Sequence, residues 1–313
     1  MKFKLFFLFS LYSIALTAQD IPVKVLLKEA EKSIAKKVDT TQWTTKSGGL
    51  LSLNITQGSL SNWAAGGDKF SLAINSYFNF YRFYRKGNHT WDNNLDVNLG
   101  FVKTTSLGSR KNDDRVDFVS KSGHKIKNNL FASGLFNFRS QLFDGYTYGA
   151  NRTTTFSSTI LSPAYVFLSA GFDYRPDPKL SVFFSPITSR WTIVMNQSLS
   201  ERGAYGVEPG KHAINAFGAL ASINYSRIVA TNVIYKGRLD LFSNYRSKPQ
   251  NVDLFMTNNL TFKINKYLSA NYNLDLIYDD DVKIFGPNNN RPGLQVKSIL
   301  GIGFLTQLKE KKK

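Results

Sequence analysis

Three histidines, His89, His124 and His212, are the side chains of this 313-residue chain that titrate near neutral pH unaided. Acid–base or nucleophilic chemistry requires such a base within hydrogen-bond reach of its nucleophile. His89 falls in a tight turn and His124 in an alternating segment. His212 falls in the longest loop, where spacing puts no serine beside it. No catalytic residue is assigned on this basis, and the chain is read as a non-enzyme. The run Asp279, Asp280, Asp281 has the oxygen chemistry of a hard-cation site. Strand alternation turns Asp280 away from its neighbours, however, and no glycine-spaced calcium loop accompanies them. No metal and no cofactor are assigned.

A second set of charges is far more regular. Asp92, Asp96, Arg139, Asp173, Lys236, Arg238, Asp240, Asp253, Lys263, Asp275 and Lys297 all sit on the polar face of segments in which apolar and polar residues alternate. In LLSLNIT, Leu51, Leu53 and Ile55 share one face while Ser52, Asn54 and Thr56 share the other. In TWDNNLDVNLGFV, Trp91, Leu95, Val97, Leu99 and Phe101 oppose Asp92, Asn94, Asp96 and Asn98. From Gly49 onward there are about twelve such segments, beginning near residues 50, 70, 90, 115, 129, 164, 179, 216, 232, 252, 268 and 294. Several reach ~10 residues, beyond the ~5 to 6 usual in soluble sheets and long enough for tilted strands to cross a bilayer.

The connections sort by length. RKGN, KNN, RPDPK, SRIVAT and NKY are short. They alternate with TQGSLSNWAAGGDK, TTSLGSRKNDDR, the stretch 143–163, the stretch 195–213, NYRSKPQN and DDDVKIFGPNNNRPG. Short and long connections in alternation, with an even strand count, predict an antiparallel up-and-down transmembrane β-barrel with periplasmic turns and outer loops. Its polar faces would then line the bore, with Asp92, Asp96, Arg139, Asp173, Lys236, Arg238, Asp240, Lys263 and Lys297 as candidate lumen residues. Mixed signs among them predict internal ion pairs and a partly occluded bore. Arg139, Lys236 and Arg238 are the candidate cationic lining for anionic solutes. In the outer loops, Trp63 beside a run of Ala and Gly, and Tyr205 in GAYGVEPGK, are candidate extracellular contacts.

Composition agrees with export. MKFKLFFLFSLYSIALTAQ has the basic start, apolar run and small residues of a signal peptide, with cleavage after Ala15 or Ala18. Without cysteine there is neither a disulfide nor a lipid-anchored cysteine. The expected organisation is a signal peptide over 1–18 and a periplasmic segment over 19–48, helical at Val23, Leu26, Leu27, Ala30 and Ile34. The barrel then runs over 49–308, and a basic tail over 309–313. The formal charge of +18 suits anionic lipid or glycolipid, whereas nucleic acid is not met by an exported chain.

Specific words add a family resemblance. GFDYRPDPKLSVFFSPITSRWTIV, GAYGVEPGKH, NVIYKGRLDLFSNY, PQNVDL, KINKYLSA and LIYDDDVKI resemble, in order, the Bacteroidota outer-membrane barrel family called domain of unknown function 3078. NITQGSLSNWAAGG and the following WDNNLD resemble its opening pattern. The resemblance implies an outer-membrane barrel and carries no established activity. The functional expectation is a narrow or gated channel for small solutes. The alternatives are a non-transporting envelope component that scaffolds other outer-membrane proteins, and an outer-membrane hydrolase. The last would need a set like the His, Ser and Asn that outer-membrane phospholipases carry near the outer leaflet.

Overall fold

The computed structural model describes residues 44–61, 68–148, 153–265, 267–282 and 291–312. The expected signal peptide, the expected N-terminal helical stretch and Trp63 lie outside the described residues. Along the chain come β1 (Thr44–Ser59), β2 (Phe70–Lys86), β3 (His89–Thr104), β4 (Gly108–Lys127), β5 (Leu130–Ser140), β6 (Gly145–Tyr148) and β7 (Thr154–Ser158). They continue as β8 (Ala164–Asp177), β9 (Leu180–Ile193), β10 (Ala213–Ala230), β11 (Val233–Asn244), β12 (Val252–Lys263), β13 (Leu268–Tyr278) and β14 (Gln295–Lys312). Twelve of these close into an antiparallel barrel, and β6 and β7 form a separate two-stranded ribbon in the loop between β5 and β8. Closure is made where β1 pairs with β14, as in Leu53 beside Phe304.

The two faces are reversed relative to a soluble protein. Apolar side chains such as Leu168, Phe172, Phe184, Ile187, Leu300 and Ile302 are exposed on the outside. Ser52, Asn79, Asp117, Asp173, Ser181 and Asp275 are buried within. Water disfavours such an exterior, whereas hydrocarbon accepts apolar side chains provided that the backbone is paired, and a closed barrel pairs it all along the wall. The fold is therefore that of a lipid-spanning barrel.

Several expectations shift in detail. β1 begins at Thr44, ahead of the Gly49 boundary, with Thr44 opposite Arg85. β14 continues to Lys312, opposite Lys46, so residues 309–312 are part of the ladder rather than a free basic tail. The long outer connection expected over 104–115 is a three-residue hairpin, because β4 starts at Gly108 and pairs with β3 from Thr104 inward. Asp68 secures that hairpin by accepting hydrogen bonds from the Ser106 amide (2.8 Å) and hydroxyl (3.0 Å). SRKNDDR lacks an apolar face and so resembles a loop in sequence. A strand at the barrel rim can pair through its backbone without any apolar face at all.

Candidate functional site in the barrel lumen

Backbone alternation sends every second residue inward, and the inward charges meet in layers. At the inner end, the end carrying the short turns, Asp173 accepts from Lys121 at 2.7 Å and Arg175 at 2.6 Å. Arg175 also reaches Asp92 at 2.9 Å, and Arg85 pairs with the same carboxylate at 2.5 Å. Ser181 donates to Asp173 at 2.7 Å. Arg175 is the first residue of the RPDP turn. It still belongs to β8, two residues after Asp173, so alternation points it into the bore, over the Phe131 ring.

Midway along the barrel, Arg139 and Arg238 alternate with Asp117 and Asp240 in a closed set of contacts of 2.8 to 3.3 Å. Asn137 donates to Asp117, Ser222 donates to Asp240, and Arg139 stacks 3.4 Å above Phe255. Beside this set Arg115 pairs with Asp275 at 2.8 Å, and Lys297 bridges Asp275 (2.7 Å) and Asp113 (2.8 Å). Since β4 and β13 are five places apart in a ring of twelve, the Arg115–Asp275 pair crosses almost the whole bore. Leu135, Phe183, Ala216, Leu220 and Phe242 fill the wall from β5 to β11 with apolar packing.

The outer mouth is organised around Arg190. It pairs with Asp253 and faces Asp279 at 3.8 Å and Asp281 at 3.6 Å. Above it the loop after β9 folds into α1 (Gln197–Glu201) and a 3₁₀ turn at Ala204–Gly206. The Asn196 side chain caps the helix by accepting from the Leu199 amide. Val194, Leu199 and Val207 form a small core there with Phe156 of β7 against it. Gly206 has φ of 78°, and a Cβ added to it would lie 3.2 Å from the Asp281 Cβ, so the loop reaches across the mouth to the chain after β13. Tyr205 donates its hydroxyl to the Ser157 carbonyl at 2.6 Å and packs in that loop core. It is thereby a half-buried brace of the outer loop in which the sequence placed it as a candidate extracellular contact.

The carboxyl of Asp279 lies just beyond β13, and its pKa is pushed up to about 6. Burial is the main cause, the charges of Asp253 and Asp281 add to it, and Arg190 opposes. The folded mouth therefore holds this proton more tightly than the unfolded chain does. Its stabilising effect is complete below about pH 4 and is lost as pH rises to about 6. Wild-type melting temperature should fall between pH 4 and 6.5, and Asp279→Asn should flatten that slope. An unchanged slope in the variant would remove Asp279 from the mouth's titration.

All nine candidate lumen residues face inward, but in different company. Asp92 and Asp173 belong to the inner layer, and Arg139, Arg238, Asp240 and Lys297 to the middle one. Asp96 accepts from Tyr77 at 2.5 Å, from Asn79 at 2.9 Å and from Asn94. Lys236 and Lys263 have neither a hydrogen bond nor an ion pair from their ammonium groups to any described residue. Sequence reasoning did not single out Arg85, Asp113, Arg115, Asp117, Lys121, Arg175 or Arg190. For Arg115, Asp117 and Lys121 a signal existed, because even spacing puts them on one face of β4 opposite Val116 and Phe118.

Two cavities lie inward of the middle layer. The larger, of about 150 Å³, is lined by Arg85, Asp96, Arg115, Lys236, Arg238, Thr257 and others. The smaller, of about 80 Å³, shares Tyr77, Lys236 and Asn259 with it and is otherwise bounded by amide and hydroxyl side chains together with Leu50, Ile234 and Leu305. The histidines stand apart from both. His89 and His124 face each other near the inner turns with Nδ1 atoms 3.4 Å apart, and His212 Nδ1 donates to the Val194 carbonyl at 2.9 Å.

A family described as protein of unknown function, DUF3078, matches residues 55–146. That segment holds most of NITQGSLSNWAAGG and all of WDNNLD, while the later words of the resemblance fall outside it. No curated protein matches in sequence. Among solved structures, the translocator domain of the autotransporter NalP from Neisseria meningitidis aligns at 11% identity and TM-score 0.38, over 93% of this chain and 98% of its own. An outer membrane channel from Pseudomonas putida F1 aligns at 10% identity and TM-score 0.38, over 88% and 98%. Outer membrane phospholipase A from Escherichia coli aligns at 8% and 0.34, over 82% and 89%. At these scores the likenesses carry no weight for activity, and the architecture rests on the strand pairing described above.

Proposed function

We propose that the chain is an outer-membrane barrel of the Bacteroidota type, exported by its N-terminal segment, that works as a narrow, gated channel for small solutes. The observation supporting this reading is the nature of the obstruction. Charged side chains from facing walls cross the bore, notably Arg115 with Asp275 and Arg238 with Asp117, and a cavity of about 150 Å³ lined by both charged and apolar side chains lies inward of them. Side-chain ion pairs beside water can exchange partners without unfolding a domain, so the obstruction is of a kind that opens. Its lipid surroundings would be the outer-membrane bilayer and its anionic glycolipid.

Purified protein in planar bilayers should give brief, low-conductance openings, more frequent when residues 197–210 are replaced by a short linker. Persistent silence from both forms would defeat the channel reading. The closed middle layer would then favour a barrel that serves as a fixed component of the envelope alongside other outer-membrane proteins.

A further inference from the structure

We propose that the β11–β12 wall of the lumen holds a binding site for a small hydroxylated monocarboxylate, with Lys236 as its charge partner. The site deepens the channel reading and rests on it for the route by which the anion arrives. Its binding is measurable without conduction.

The argument begins from the other cations that line the larger cavity. Arg85, Arg115, Lys121 and Arg238 each have a carboxylate within 3.3 Å, at Asp92, Asp275, Asp173 and Asp240 or Asp117. Of the three cations expected to attract anions, Arg139 and Arg238 are thus occupied by the same two aspartates. Lys236 is different. It borders both cavities, and its ammonium makes no hydrogen bond or ion pair to a described residue, although the charge of Asp96 acts on it across the cavity. The carboxylate on the facing wall, Asp96, is engaged instead by three neutral donors, Tyr77, Asn79 and Asn94. An ammonium withdrawn from bulk water into a protein bore is costly unless water or an anion meets it, and the cavities leave room for either.

Neighbouring groups define what kind of anion fits. Asn259 is the direct cross-strand partner of Lys236 on β12, and Thr257 lies two residues along the same inward face. Side chains opposite each other across an antiparallel pair approach within about 5 Å at Cβ. Neither Asn259 nor Thr257 spends its side chain on a hydrogen bond to a described residue, though both line the larger cavity. One free ammonium, one free amide and one free hydroxyl make a donor set for a single carboxylate. A doubly charged phosphate would call for a second free cation at the same point, and Arg238 and Arg115 are taken. The amides and hydroxyls of the smaller cavity, including Asn271, Asn273 and Thr261, suit hydroxyl groups on the rest of the solute. Lys263 is 8% exposed, its Nζ has no partner, and it continues the inward face of β12 toward the inner turns. A second unpaired ammonium on this wall offers the anion a way in from that end.

Isothermal titration of the full-length protein in detergent with gluconate, and with the neutral polyol glucitol as control, tests the site. Gluconate should bind and glucitol should not. Lys236→Gln should weaken gluconate about tenfold or more, the loss of one charge-assisted contact. Asn259→Phe, which keeps the lysine but fills the cavity, should abolish binding. Heat-modifiable migration in detergent gels confirms that each variant still forms the barrel. No wild-type binding of gluconate, equal binding of glucitol, or equal affinity in both variants would overturn the proposal. A barrel that is silent in bilayers yet binds gluconate through Lys236 sinks the channel and leaves the site. A conducting barrel whose variants bind unchanged does the reverse.

Discussion

Asp117→Asn should destabilise the barrel by about 3 to 5 kcal/mol, the cost of breaking a buried ion pair from one side. The carboxylate of Asp117 lies between Arg139 at 3.1 Å and Arg238 at 3.3 Å, with only 7% of its side chain exposed. An amide can accept from one guanidinium but neutralises neither, so two positive charges would be left facing each other across Asp240. Adding Arg238→Gln to Asp117→Asn should recover most of the loss, because the remaining Arg139–Asp240 pair is balanced. Urea unfolding in detergent micelles reads both numbers. Equal losses in the single and double variants would show that charge balance does not govern this layer. In bilayers the double variant also lacks one of the bonds crossing the bore, and on the channel reading it should open more often than wild type.

The second large effect lies on the opposite face of the wall. Val97 stands between Phe78 and Val116 on the outside of the barrel, about midway along β3. Val97→Arg should cost about 2 to 4 kcal/mol when the barrel folds into lipid vesicles, as a charge on the lipid face near the midplane does. Asn224→Arg places the same side chain toward the larger cavity, where water and carboxylates can receive it, and should cost clearly less. Equal costs at the two positions would mean that the outward face had been misassigned.

Period and connection length carried most of the architecture. The LLSLNIT, TWDNNLDVNLGFV and LQVKSILGIGFLTQL patterns all became barrel strands in which the alternate faces divide as their residues do. Alternation failed at SRKNDDR and at the ends of β1 and β14, where strand pairing continues through residues that offer no apolar face. Inwardness was legible too, since strand parity decides it for each residue separately. Partnership was not. Arg115 meets Asp275 across 160 positions of sequence because the stagger of distant strands brings them to one height, and no local spacing records that stagger. The freedom of Lys236 was hidden for the same reason: it follows from where every other charge has gone. Arg175, read as part of a turn, enters the bore because β8 runs on to Asp177 and its alternation, with Asp173 in and Tyr174 out, continues through that residue.

The seam between β1 and β14 has a consequence in time. It joins residues about 250 positions apart, Leu53 to Phe304, and each hydrogen bond across it presupposes the ten strands between. Contacts so distant in sequence are slow to form, because chain entropy is lost before they repay it. Until that final zippering, an assembling barrel of this topology presents two unpaired strand edges, both open to pairing with another chain. For a protein of this kind the hazardous interval is therefore the passage to the membrane, before the ring has shut.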